Sequence, residues 1–240
     1  MEPSIANVAA STLAITTGAV LQASTGLGAG LVVVPLLALI SLDLVPGPVI
    51  FASMALSSVM AYAGRRHIAW THLDKVVWGL GAGMIVGILG LSLLPPSRIG
   101  LVFGALILIA AVVSVLGVAV RLTSRSALVA GLLSGFMGTV AAIGAPVLAL
   151  LYQHEEPNAL RGTLALLYLV SSIGMLVLLH AAGRFTWHDV MLGGYLIPGF
   201  VIGYLLSGPV ARVLDRGYSR MAVLAISSIS GLALILKSLS

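Results

Sequence analysis

The sequence predicts an all-α polytopic membrane protein built as two inverted repeats, each with a glycine-rich re-entrant or broken helix hairpin plus three transmembrane helices. Three observations carry that prediction. Of 240 residues, 60% are hydrophobic and 8% charged, and the mean hydropathy is +1.16, far outside the range of soluble domains. Two long apolar runs are interrupted by glycine and end in proline: A-S-T-G-L-G-A-G-L-V-V-V-P over 23–35 and S-G-F-M-G-T-V-A-A-I-G-A-P over 134–146. The features around these runs recur in the same order in two halves, 1–122 and 123–240.

A crossing helix needs about 20 apolar residues. On that scale segments fall near 4–24, 27–42, 47–63, 76–94, 98–120, 126–138, 142–153, 160–182, 189–210 and 220–238. The first two form one run too long for a single crossing, broken at Gly26, Gly28 and Gly30, so a hairpin folding back at the glycines is expected. Segments 126–138 and 142–153 are each roughly 20 Å long as helix, short of the ~30 Å hydrocarbon core. They read as a re-entrant pair meeting near Thr139 to Gly144. Glycine and proline free backbone groups that lipid cannot satisfy, so such breaks persist only against protein or a wet cavity. Breaks in corresponding places of two halves point to a transporter's binding site.

The repeat is legible in spacing. Pro35 and Pro146 are 111 positions apart, as are Pro46 and Pro157. Gly64-Arg-Arg-His-Ile-Ala-Trp70 parallels Gly183-Arg-Phe-Thr-Trp187, and Gly83-x3-Gly87 parallels Gly199-x3-Gly203. If each hairpin enters and leaves on one side, an odd number of crossings remains per half and the halves are inverted. That arrangement puts Arg65, Arg66, Lys75, Arg121, Arg125, Arg161, Arg212, Arg216 and Arg220 on one side, against Arg98, Arg184 and Lys237 on the other. A single crossing over 126–153 would divide them seven to five, so the bias of Lys and Arg toward the cytoplasm favours inversion. The expected location is the cell inner membrane, multi-pass, with lipid around it.

Composition also excludes classes. The formal charge of +5 comes from Lys and Arg scattered in short loops, without the basic stripe a nucleic-acid partner needs. With no cysteine, disulfides, thiolate metal sites and cysteine nucleophiles are ruled out. Met1-Glu-Pro-Ser has no basic region ahead of its apolar run, so no cleaved signal peptide is expected. His154-Glu155-Glu156 lacks the spacing of a zinc H-E-x-x-H motif, and Gly131-Leu-Leu-Ser-Gly135 is not a nucleophile elbow. Neither an enzyme nor a metal or organic cofactor is expected.

Gly26-Leu-Gly-Ala-Gly30 followed by Val-Val-Val-Pro35-Leu-Leu, and Gly131-Leu-Leu-Ser-Gly135-Phe-Met-Gly138-x5-Gly144-Ala-Pro146, resemble the sulfite exporter TauE/SafE family across essentially the whole chain. The chain departs from the family's denser glycine run at Ala29 and Ala145. The resemblance implies export, or uptake in some members, of sulfite, sulfoacetate or other small organosulfonates.

An anion of that kind needs hydrogen-bond donors in a dry site. Helix N-termini supply them with about half a positive charge, and glycine lets a ligand approach the backbone. Gly28, Gly30 and Gly144 therefore join the candidate site, with Gln22, Ser24 and Thr25 before the first break and Ser134 and Thr139 beside the second. Ser53, Ser57 and Ser58 in one half, and Tyr168, Ser171 and Ser172 in the other, lie at spacings that share a helix face. Arg161 offers a planar fork at the inner mouth, and His180 a proton relay. For the hydroxyls the competing reading is a bond to the carbonyl one turn back or to a neighbouring helix. Gly79-x3-Gly83-x3-Gly87 and Gly199-x3-Gly203 read as close-packing faces along which the halves could rock, and Trp70, Trp78 and Trp187 as interfacial anchors. The expected function is a secondary transporter for a small sulfur-containing anion, working by alternating access; the alternative is a passive anion channel or a non-transporting membrane subunit.

Overall fold

The computed structural model describes residues 5–26, 30–95, 98–116, 120–213, 225 and 228–236, and among them regular structure is entirely helical. The helices are α1 (Ile5–Thr25), α2 (Gly30–Ile40), α3 (Gly47–Gly64), α4 (Leu73–Leu93), α5 (Ile99–Leu116), α6 (Ser124–Ala141), α7 (Ala145–Leu151), α8 (Pro157–Ala181) and α9 (Trp187–Val213). A last stretch of helix covers 228–236. Four of these are long and apolar enough to cross a membrane: Gly47–His67, Leu73–Leu93, Pro157–Ala181 and Trp187–Gly208.

Local chemistry sets the ends. Thr123 and Ser126 form a reciprocal capping box that starts α6. Pro157 occupies the first position of α8, where a missing N–H costs nothing. The α1 helix stops at Gly26, whose φ of 77° is left-handed. The α6 helix stops at Ala142 with φ 56°, although alanine gains nothing there that glycine would not. Its N–H bonds Gly138 O at 2.8 Å.

The second hairpin differs from expectation. The α6 helix holds 18 residues and α7 only 7, with the turn at 142–144. The arms are thus a near-full-length helix and a stub rather than two equal halves. The first hairpin is built alike, with 21 residues in α1 and 11 in α2. The two prolines read as equivalent are not: Pro35 is buried inside α2, whereas Pro146 sits at the start of α7. Pro46 and Pro157 do correspond, one immediately before α3 and the other first in α8.

Glycine seams join the two halves of the sequence. In α4, Gly79 and Gly83 lie against Leu128 O, Gly131 and Leu132 O of α6; Gly131 and Gly135 answer against Val76 O and Leu80 O. The same arrangement recurs where Gly199 and Gly203 of α9 meet Ile15 and Ala19 of α1. Both pairs run parallel. The α3–α8 pair runs antiparallel, because Gly64 at the end of α3 meets Gly162 near the start of α8, while Gly47 meets Phe185 beyond its end. A backbone-on-backbone fit of this kind leaves no room for a Cβ, which is why glycine recurs.

These contacts place chain ends. Ala69 N donates to Thr163 Oγ1 at 2.8 Å, and Ser124 Oγ lies 3.2 Å from His72 Nδ1. The end of α3 and the starts of α4, α6 and α8 therefore share one end of the molecule, and Arg65, Arg66, Lys75, Arg121, Arg125 and Arg161 gather there. Trp70 is exposed at that end and Trp187 at the other, as interfacial aromatics should be. Burial divides into two cores. One joins α1, α2, α3, α5 and α9 around Ile15, Leu37, Phe103 and Phe200, and takes in Met137, Val140 and Ala141 of α6 and Ala165 of α8. The other joins α4, α6, α7 and α8 around Leu80, Leu148, Leu164 and Leu167.

Candidate functional site

The two helix breaks meet inside the molecule. A Cβ on Gly30, at the start of α2, would lie 2.7 Å from Ala142 O in the turn of the second hairpin. Between the breaks and the middle of α3 and α8 lies a cavity of about 80 Å³. One water needs roughly 10–15 Å³ of such space, so several waters or one small oxyanion fit, whereas drug-sized ligands occupy about 300 Å³ or more.

One set of lining groups is polar: Gln22, Ser53, Ser57, Ser134, Tyr168, Ser171 and Ser172. They come from α1, α3, α6 and α8, so four helices from both halves build one wall. The main chain contributes at Gly30 and Gly144. Apolar groups fill the remainder, among them Val33, Val34, Val49, Ile50, Met175 and Phe200. Among the described residues no side chain with a formal charge lines it.

Several hydroxyls hold the breaks in shape. Tyr168 OH donates to Gly26 O at 3.1 Å, and Ser134 Oγ donates to Gly144 O at 2.9 Å. Each break thus has a carbonyl, freed by the interrupted ladder, satisfied by a side-chain hydroxyl. Ser53 donates to Ile50 O at 3.0 Å and Ser171 to Leu167 O at 2.7 Å. Ser57 and Ser172, buried to 1% and 6% exposure, make no hydrogen bond with any described residue.

Of the residues the sequence offered, Gln22, Gly30, Ser57, Ser134, Gly144, Tyr168 and Ser171 converge on the cavity. Gly28 lies outside the described residues. Ser24 and Thr25 do not line it: Ser24 Oγ donates to Ser207 O at 3.3 Å, and Thr25 Oγ1 to Leu21 O one turn back at 2.7 Å. Ser58 is exposed and bonded to Met54 O at 2.7 Å. Thr139 is fully buried, its hydroxyl unpartnered, and it packs against Gly87 of α4. Arg161 is turned away from the cavity. Its fork takes Pro157 O at 3.2 Å, Ser24 O at 3.3 Å and Asn158 Oδ1 at 3.1 Å, which sets a cation at the C-terminus of α1, where the helix dipole favours one. His180 is exposed at the far end of α8, with Nδ1 2.9 Å from Phe185 O.

Helix-face spacing accounts for two walls of the cavity. Ser53 and Ser57 are four apart, and Tyr168 stands three and four from Ser171 and Ser172; all five line the cavity. Ser58, five from Ser53, falls off that face. Phe200 and Met175 carry no signal that separates them from other apolar residues of their helices.

Neither the curated proteins nor the solved structures contain a match to this chain. The family comparison does: the description sulfite exporter TauE/SafE matches residues 11–234, a span that includes both glycine breaks, both seams and every lining residue of the cavity. The chain belongs to the sulfite exporter TauE/SafE family, and is a multi-pass membrane protein of that family.

Proposed function

We propose that this protein is a secondary transporter, not an enzyme, that exports a small sulfur-containing anion across the inner membrane by alternating access. Sulfite, sulfoacetate and other small organosulfonates are the candidate substrates. The observation that carries the reading is the cavity: about 80 Å³, bordered by both helix breaks and lined by neutral polar groups from both halves, of which the Ser57 and Ser172 hydroxyls are not already given to a backbone carbonyl. Oxyanions are held well by hydroxyl and backbone N–H groups in a water-poor site. Gly30 adds the N-terminal end of α2, with its partial positive charge.

The helix directions support two inverted repeats. Exchange of α1 with α6, α3 with α8 and α4 with α9 maps the parallel α1–α9 seam onto the parallel α6–α4 seam, and the antiparallel α3–α8 pair onto itself. Inverted repeats with a site at their interface are the usual frame for alternating access. The moving bodies we propose are not the sequence halves, because each glycine seam joins one half to the other. They are the α1–α9 unit with α2 and the α4–α6 unit with α7, each held together by one glycine seam.

The test is flux in sealed proteoliposomes. Saturable uptake of sulfite or a small sulfonate, accelerated by unlabelled substrate on the opposite side, is the expected result. Unsaturable flux without counterflow would mean a channel, and no flux of any sulfur anion from folded, inserted protein would remove the substrate assignment.

A further inference from the structure

Resting on that reading of the cavity, we infer that the site accepts singly charged anions and rejects doubly charged ones, so that sulfite travels as hydrogen sulfite and brings its own proton. Monosulfonates remain candidates, and sulfoacetate, a dianion at neutral pH, drops out of the candidate substrates. The observation is what faces the ligand. Ser57, Ser134, Ser171 and Ser172 are each at most 6% exposed, and Gln22 is 4% exposed; all are uncharged at every physiological pH. An anion leaving water for such surroundings is stabilised only by dipoles and by the partial charge at the start of α2. The desolvation cost of an ion grows with the square of its charge, so a dianion faces about four times the penalty of a monoanion. The available positive potential grows only linearly. Without a cationic side chain at the ligand, the second charge is not compensated.

Nor do the described residues place a group at the cavity to neutralise it. Among the described residues Tyr168 is the one titratable side chain at the cavity, and its proton is committed to Gly26 O. Arg161, on the same helix, faces Ser24 O, Pro157 O and Asn158. Within the described residues, α1, α2, α3 and α7 place no Asp, Glu, Lys, Arg or His at the cavity; Arg125 of α6 and His188 and Asp189 of α9 lie at helix starts, and His180 at the end of α8. The proton therefore enters on the substrate oxygen and leaves to solvent with it. Each hydrogen sulfite moves one negative charge and one proton together, with no protein carboxylate or imidazole acting as carrier.

The experiment measures half-saturation for sulfite in proteoliposomes, with equal pH on both sides, across the range where hydrogen sulfite gives way to sulfite. Ethanesulfonate, a monoanion throughout, and sulfate, a dianion throughout, serve as competitors. If only the monoanion binds, half-saturation in total sulfite is flat on the acid side. It then rises about tenfold per pH unit on the alkaline side, as the competent fraction falls. Ethanesulfonate should compete equally at every pH, which also reports any titration of the protein itself, and sulfate should not compete. A half-saturation for sulfite that is flat or falls as pH rises would overturn the inference, as would sulfate competing as well as ethanesulfonate. Saturable flux of neither sulfite nor ethanesulfonate at any pH would instead defeat the underlying assignment of the cavity.

Discussion

Replacing Ser57 with alanine isolates one proposed ligand contact, because its hydroxyl bonds no described residue in the resting fold. Ser57 is 1% exposed, lines the cavity and makes no hydrogen bond with a described residue. Its neighbour Ser58 is exposed and bonded to its own helix at Met54 O. A hydrogen bond to a charged partner contributes about 1.5–3 kcal/mol, which at about 1.4 kcal/mol per decade is roughly a 10- to 150-fold change in affinity. Removing a hydroxyl with no intramolecular partner should leave the melting temperature in detergent nearly unchanged. The expected outcome for Ser57→Ala is thus at least tenfold weaker half-saturation in counterflow with unaltered thermal stability. Ser58→Ala, one residue away, should change neither. A loss of less than twofold in Ser57→Ala, or an equal loss in both variants, would refute the assignment of the α3 face to the site.

Gly83→Val should drive α4 off α6, because the new Cβ meets main-chain atoms of Leu132 and Phe136 that no rotamer change can move; overpacking of this kind costs about 1–3 kcal/mol. Gly81→Val, two residues earlier and with nothing within 4 Å, should melt within experimental error of the parent, and a shared fall in both would undo the seam argument. Thr139→Val removes a fully buried, unpartnered hydroxyl; an unmet buried hydroxyl costs about 1–3 kcal/mol, so thermal stability should hold or rise while flux is retained. Loss of transport in that variant would return Thr139 to the site. Burial, with Glu155 adding repulsion, pushes the Tyr152 phenol up to about 12. The unfolded chain then ionises first, so this group costs stability only as pH rises from about 10 toward 12. Tyr152→Phe should flatten the fall in melting temperature over that window, and identical curves would contradict it.

Much of the architecture is readable in the sequence because lipid imposes a simple rule: apolar runs of sufficient length must be helices, and glycine breaks within them must be sheltered. Hairpin positions, the membrane class and the close-packing role of Gly79, Gly83 and Gly199 follow from that rule and from spacing, and the family from the resemblance of the two glycine motifs. The serine face 53/57 and the 168/171/172 face follow from helical period alone. What the sequence could not decide is which polar groups look inward. Ser24, Thr25 and Thr139 border the breaks as closely as Gln22 and Ser134, and Arg161 is a fit fork for an anion at the inner mouth, yet all four are directed elsewhere. Their direction depends on the rotation of each helix about its axis, which is set by the partner it packs against. The unequal hairpin arms are likewise a tertiary outcome, since capping at Thr123 and the turn at Ala142 extend α6 beyond its apolar run. Pairing decides the most consequential feature. Sequence halves suggest two bodies, but small residues allow backbones to approach wherever surfaces match. Here α4 matches α6 and α9 matches α1, so each seam joins the first half of the sequence to the second and the cavity lies where the two breaks meet.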